Sequence, residues 1–554
     1  MKTSCILLCL TLAGACSLAA QTPSINAGGI VNAASYAYAG LPSGGITPGS
    51  IFAVFGSNLG PAQFAQSGAY PLPTTLGGTS VKVTSGSTTA QAYLFLSSAS
   101  QLTAMLPSSI PAGTASLTVT YSGATSAAQT FTVAASSFGI FASNSGGSGP
   151  GVITNANSQV YGLTTSANPD DAAVIWGTGL TAVTGNEAGG ALPGDLPNLP
   201  VEVYVGDTKA TVTYRGRSGC CAGLDQIVFT VPAVTGCRVP VTVKISSIVS
   251  NNTTIAIAAK GSRTCSDPGG PSAADLNKYT AQGNTSIGVV TLARTSTSIS
   301  VPGFGSITTN ADVGGGSFLR YTAQQLDSAQ NPFGTELYNS CTVSYFKGAS
   351  ATASDPTLPK YLDAGTALTV SGGAGGTKQL TKSTTGGIIL YSGLLSTIGA
   401  TGSTGYLDPG NYTVTGPAGP DVGGFTAKVT IPGTLAWTNQ AALTDVTRAS
   451  GQSVSWTVSG DPNGYVLIGG SSASGTDANA VGANFTCFAK NSAGQYTIPA
   501  ATLLALPPSA VVAGVPTGVM YVGLSGTPQP FTASGVDLAY IVYTSVSAKT
   551  LNFK

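Results

Sequence analysis

Ala115-Ser116-Leu117-Thr118-Val119-Thr120-Tyr121 alternates apolar and hydroxyl-bearing side chains with a period of two. Successive side chains of an extended chain point to opposite faces, so such a run fits a half-buried strand. Ser80-Val81-Lys82-Val83-Thr84 and Val239-Pro240-Val241-Thr242-Val243-Lys244-Ile245 follow the same rule. Gly, Pro, Ser and Asn bound these runs, and those residues supply turns. The 74 glycines are spread through the boundaries without a three-residue period, which fits turns better than collagen or disorder. No segment reads as an amphipathic helix. Many short strands with frequent turns predict an all-β chain of tandem β-sandwiches.

The first half contains an internal repeat. Phe55-Gly56-Ser57-Asn58-Leu59 is answered by Trp176-Gly177-Thr178-Gly179-Leu180, and Ser80-Val81-Lys82-Val83 by Pro200-Val201-Glu202-Val203. Gln101-Leu102-Thr103-Ala104-Met105-Leu106-Pro107 is answered by Gln226-Ile227-Val228-Phe229-Thr230-Val231-Pro232. The offset is 121 positions at Gly56 and 125 at Gln101, a difference that one loop absorbs. Two homologous sandwiches are the simplest account.

Further motifs lie in order along the same half. They are Gly28-Gly29-Ile30-Val31-Asn32-Ala33-Ala34-Ser35-Tyr36, Ile46-Thr47-Pro48-Gly49-Ser50, Leu76-Gly77-Gly78, and Cys220-Cys221-Ala222-Gly223-Leu224-Asp225-Gln226-Ile227 with Gly236-Cys237. Together they resemble the Solibacter-type domain of acidobacterial secreted proteins, whose segments are similar to IPT/TIG Ig-like sandwiches. The resemblance covers about residues 24–265 and implies an Ig-like fold and export. It brings no catalytic residues.

The expected layout is a signal peptide at 1–20, Ig-like sandwiches at 24–135 and 136–262, a linker at 263–274, and further sandwiches at 275–432 and 433–554. The leader is read from Lys2, the apolar run Ile6–Ala15 and the small residues before Gln21; that run is too short to span a bilayer. Cys16 permits a lipoprotein variant. No later stretch is apolar enough to cross a membrane, which predicts a secreted or cell-surface protein, with the periplasm as an alternative. In the second half, Leu407-Asp408-Pro409-Gly410-Asn411-Tyr412-Thr413-Val414 resembles motifs of carboxypeptidase-regulatory-like modules. Its tyrosine is placed to bond back to a loop, as in a tyrosine corner.

Beyond the leader lie Cys220, Cys221, Cys237, Cys265, Cys341 and Cys487. An even number in an exported chain predicts disulfides, with two bridges among the first four and Cys341 left to Cys487; spacing alone does not fix the connectivity. Adjacent Cys220-Cys221 lacks zinc-knuckle spacing.

Composition removes whole classes of function. The chain of 554 residues has no histidine, so Ser-His-Asp and Cys-His sites and imidazole metal ligands are absent. Its 21 Lys+Arg balance 20 Asp+Glu, leaving no basic stripe for nucleic acid. Asp170-Asp171, in an Asn-Pro-Asp-Asp loop, reads as turn chemistry rather than a calcium or acid–base site. The Gly-rich stretches lack a phosphate-loop ending. No cofactor is expected. Trp176 and Trp456 read as core, and Trp437 is the aromatic candidate for ligand contact.

Charge is unevenly distributed. Charged residues form 7% of the chain against roughly 25% in ordinary domains. Between Gln21 and Pro169 the sole charged side chain is Lys82. Such a surface lacks the repulsion that keeps proteins apart, which permits self-association through the first sandwich or contact with a wall or polysaccharide; drift in composition is the favoured explanation. The expected function is non-catalytic surface contact in adhesion, extracellular matrix or envelope structure, with a cell-surface or extracellular polysaccharide or protein as partner. The alternative is a secreted carbohydrate-binding protein, and behind it a carboxylate-based glycoside hydrolase.

Overall fold

Alternation along the chain translates directly into layers. The computed structural model describes residues 21–267, 271–301, 305–329, 340–348, 359–373, 375–399, 402–431, 433–462, 464–477 and 480–554. The expected signal peptide lies outside them. In Gly113–Tyr121, Ala115, Leu117 and Val119 are buried while Ser116, Thr118 and Thr120 are half-buried on the other face. The described chain is nearly all β, with sheets paired face to face in Ig-like fashion.

In the first sandwich Ser24–Asn32, Ile51–Ser57, Gln101–Met105, Tyr93–Ser97 and Ala65–Gln66 form one sheet. The opposing sheet is centred on Thr79–Ser85 and Gly113–Tyr121. Phe52, Val54, Val81, Val83, Leu102 and Leu117 fill the space between them. In the second sandwich the long strand Thr208–Arg217 joins both layers, pairing with Val201–Val205 and, after a register shift, with Asp225–Thr230. Its core gathers Ile175, Val203, Phe229, Val241 and Ile255.

Register makes the repeat visible in three dimensions. Phe55 faces Gln101 across the first pair of strands, and Trp176 faces Gln226 across the second. A further equivalence escaped the sequence reading. Val119 N–H donates to Ser126 Oγ, which donates to Ala127 O; Val243 N–H donates to Ser250 Oγ, which donates to Asn251 O. Trp176 corrects the expectation of a core residue. It lies half-buried on the outer face because its neighbour Ile175 takes the inward position, and its indole N–H donates to Thr154 Oγ1 at 2.9 Å.

The segment expected as a linker is anchored. Cys265 is bridged to Cys237 and fully buried. Ser272 then caps a helix, Ala273–Gln282, through a capping box with Asp275, and Gly283 ends it at φ +75°. Leu276 and Tyr279 pack with Leu163, Ile287 and Tyr321 at the junction. The helix is a correction to the all-strand reading: two buried residues three positions apart are too few to stand out as a stripe.

Strands from both sides of position 433 alternate in one sheet. The hairpin Asn284–Val301 and Gly305–Thr322, with 18 residues in each arm, takes Leu538–Phe553 as a parallel neighbour. Ser340–Lys347 pairs with Val481–Lys490, where Cys341 lies opposite Cys487 and is bridged to it. Position 433 therefore separates no two sheets. Two cores remain distinct: Val290, Phe318, Leu368, Tyr391 and Val414 in one, Val343, Val454, Ile468, Phe485 and Val522 in the other. Leu538–Phe553 serves both, with Ile541 and Tyr543 in the first and Leu551 and Phe553 in the second.

The Cys341–Cys487 bridge closes a separation of 146 residues. Replacing both cysteines by serine should cost the C-terminal half about 2–5 kcal/mol, because the unfolded chain regains the entropy of the open loop. Urea denaturation of the full chain measures it; an unchanged midpoint would show that the bridge adds nothing to the paired strands.

Candidate functional site

The motifs quoted from the first half converge on the joint between the first two sandwiches. Asn32 is 1% exposed; its Nδ2 donates to Ser137 O and Thr178 O at 3.1 Å, and its Oδ1 accepts from the backbone of Ala34 and Ser35. Thr47 Oγ1 donates to Gly179 O, and Ser137 Oγ donates to Ser43 O. Thr178 Oγ1 donates to Gly223 O at 2.7 Å while accepting from Ile51 N–H.

A buried ion pair sits at the centre. Asp225 accepts from the backbone N–H of Gly179 and Leu180 at 2.7 and 2.8 Å and from Arg217 Nη1 at 2.6 Å. Arg217 Nη2 donates to Thr181 O. Glu187 reaches across to the first sandwich and accepts from Ser108 N–H and Oγ, both at 2.6 Å. Gly49, at φ +76°, is required here: a Cβ would stand 2.5 Å from Arg217 Nη2. The buried Asn32, Thr178, Arg217 and Asp225 side chains are all engaged, so the arrangement can hold two domains at a fixed angle.

The Cys220–Cys221 pair, bridged to each other, belongs to the loop that leans on this joint. Ala222 N–H donates to Tyr70 OH at 3.0 Å, and Ala222 packs with Leu72 and Met105. Trp437 is corrected. It is 7% exposed, packed in the last core, and its indole N–H donates to Asn439 Oδ1, so no ring face is open to a sugar. Trp456 is also core. The chain itself covers part of the charge-poor first sandwich: Ala37, Tyr38 and Leu41 pack against Val481, and Lys347 Nζ donates to Ala27 O.

Acids of the second half tie loops together. Asp312, 1% exposed, takes both a bidentate grip from Arg294 and the backbone N–H groups of Tyr406 and Leu407. The third Arg294 nitrogen reaches Asp408. Tyr412 OH donates to Tyr406 O and Asp408 O, the back-bonded geometry read from the Leu-Asp-Pro-Gly motif. Asp363 and Asp421 lie close together, yet each meets its own cation, Lys382 and Lys360. Burial works against ionisation of Asp363, but Gly365 N–H, Lys382 and Tyr391 outweigh it; Asp421 is held down by Asp363 N–H and Lys360. Both carboxyls stay below the ordinary range, whereas a general acid needs the opposite shift.

An open groove lies in the second sandwich, apart from these filled sites. The 155–171 connection of the second sandwich and the 258–264 loop enclose about 500 Å³, lined by Asn157, Gln159, Tyr161, Thr164, Asp171 and Arg263 among others. Asn168 Nδ2 ties the two loops, donating to Ala258 O, Ala259 O and Ser262 O. Asn155 Oδ1 accepts from Asn157 and Gln159 N–H. Asp171 serves the turn through Asn168 N–H and pairs with Arg263 at 2.6 Å. Burial opposes its ionisation, but these partners hold its carboxyl below the usual range. The Tyr161 hydroxyl is pushed up to about 12, first by burial and then by Asp171, and so stays protonated. The Asn-Pro-Asp-Asp loop was legible as turn chemistry; its meeting with Arg263, 92 positions away, was not.

No known family profile matches the chain, and no curated protein matches it. Among solved structures, SGBP-B of the Bacteroides ovatus mixed-linkage glucan utilization locus, in complex with a mixed-linkage heptasaccharide, is 13% identical, with 57% of this chain and 73% of that one covered and a TM-score of 0.22. A tetra-tandem repeat from the extending region of a large adhesion protein is 13% identical over 96% of this chain and 98% of its own, at a TM-score of 0.13. Domains 4–9 of the surface layer protein SbsC are 12% identical over 86% and 58%, also at 0.13. These likenesses are weak, far below the level at which a ligand or partner transfers. Among the described residues no helix is long and apolar enough to cross a membrane.

Removing one member of the buried pair leaves the other charged and unpaired. Arg217→Ala should destabilise the first two sandwiches by about 3–5 kcal/mol, whereas Arg217→Met with Asp225→Leu should cost less. Calorimetry of the full chain reads both, and equal losses in the single and double variants would contradict the pairing.

Proposed function

We propose that this chain is an exported, non-catalytic Ig-like protein that works by surface contact outside the cell, in adhesion, matrix or envelope structure. It is built from two repeated sandwiches followed by an interleaved C-terminal pair. The observation that carries this reading is how the carboxylates are used. Asp225, Asp312, Asp363 and Asp421 are each engaged by a cation and by backbone N–H groups. At Asp312, Asp363 and Asp421 such contacts hold the carboxyls below their ordinary range, an arrangement unsuited to proton transfer, while the Asp225 pair fixes the turn between two sandwiches. The leader-like N-terminus and the paired cysteines support export.

The reading is tested on cells that make the protein. A membrane-impermeant amine reagent applied to intact cells should modify exposed lysines such as Lys209, Lys260 and Lys360, whose side chains are 61%, 67% and 61% accessible. Modification confined to broken cells would place the chain inside and overturn the proposal.

A further inference from the structure

The groove of the second sandwich has a counterpart in the first that shows what its loop is for. Ile30 faces Val54 and Val31 faces Ala53, just as Ile153 faces Ile175 and Thr154 faces Val174. The 33–50 connection is therefore the equivalent of 155–171. In the first sandwich that connection is consumed by contact: Thr47 bonds Gly179, Ser43 accepts from Ser137, and Leu41 packs on Val481. In the second, Gly162 and Leu163 lie against Asp327, while residues 156–160 are exposed. Connections of this length without secondary structure are uncommon in compact domains unless they bind something.

The chemistry of the groove narrows the ligand. Arg263 is matched by Asp171 and, at the rim, Lys260 by Asp170. An anion would meet two carboxylates and a cation two bases, so neither gains. Polar groups nonetheless remain for a ligand. Among the described residues Arg263 uses only Nη1 on protein acceptors, and Asp171 uses only Oδ2. A fixed carboxylate beside a guanidinium edge accepts from one hydroxyl and donates to its neighbour. The Gln159 and Asn157 side chains and the Tyr161 hydroxyl extend this lining, and about 500 Å³ falls within the roughly 300–1,000 Å³ of small-ligand sites.

We infer that the groove binds a neutral polysaccharide, taking a short run of sugar rings with Asp171 and Arg263 gripping one vicinal diol. The inference rests on the surface-contact reading and names its ligand class. Tyr161, the aromatic of this lining, is 7% exposed and offers its hydroxyl rather than a ring face, so each engagement is weak, and a polymer offering many equivalent segments compensates by multivalency. Ala172 lines the floor and is exposed, so a larger side chain there fills the groove without entering the core.

Native affinity electrophoresis of the full chain in gels containing dextran, galactomannan, xyloglucan or alginate tests this. The wild type should be retarded by at least one neutral polymer and not by alginate. Ala172→Trp and Gln159→Ala should each reduce the apparent affinity at least fivefold while keeping the wild-type melting temperature. Gln159→Ala, at an exposed position, carries the test if Ala172→Trp misfolds. Absence of retardation by every neutral polymer, retention of it in both variants, or retardation by alginate would overturn the inference. Lysine modification on intact cells separates the two claims: label without retardation removes the groove's role and leaves surface contact standing, and no label removes surface contact itself.

Discussion

Burial of Arg217 and Asp225 is the constraint around which the first half is organised. Two ions withdrawn from water are tolerable only when every lone pair and N–H is met, and here Gly179, Leu180, Thr181 and Gly223 surround them with backbone partners. Gly179, Leu180 and Thr181 belong to the turn after Ala172–Thr178, which Thr47 and Thr178 also hold against the first sandwich. The pair thus fixes a turn, the turn fixes a domain interface, and the interface requires Gly49 on the opposite side. Charge is scarce in this chain, and at this joint it is used internally.

That distribution alters the meaning of the charge-poor first sandwich. Its polar seam is satisfied by residues the second sandwich brings, Glu187 at Ser108 above all. Part of its apolar surface is covered by Val481 from the far end of the chain. Neutrality on these faces suits a component packed on more than one side by its own chain, where an unpaired charge would be costly to desolvate.

Strand positions and the repeat were legible because both are local properties. Period-two alternation in Gly113–Tyr121 does not depend on which strand lies alongside, and the Gln101 and Gln226 runs preserve register as well as pattern. For the same reason pairing partners were not legible. Ser286 meets Asp537 at a separation of 251 residues, and nothing in either segment specifies the other. Trp176 and Trp437 were misplaced because burial of a ring is decided by the neighbouring layer: an outward register in one case, a closed core in the other. Of the groove, the turn-building Asn155, Asn168 and Asp171 could be read as loop residues; that Arg263 returns to meet them is a property of the sheet behind them.

Leu538–Phe553 places Ile541 in one core and Phe553 in another, and each core also holds residues from far earlier in the chain, such as Val290 and Val343. Neither core is complete without this strand, so closure of both depends on its pairing. Proteins whose central pairing is so distant in sequence fold late and slowly. The 16-residue strand Leu538–Phe553 is thus a shared keystone: two cores depend on one closing element, and loss of its pairing would open both.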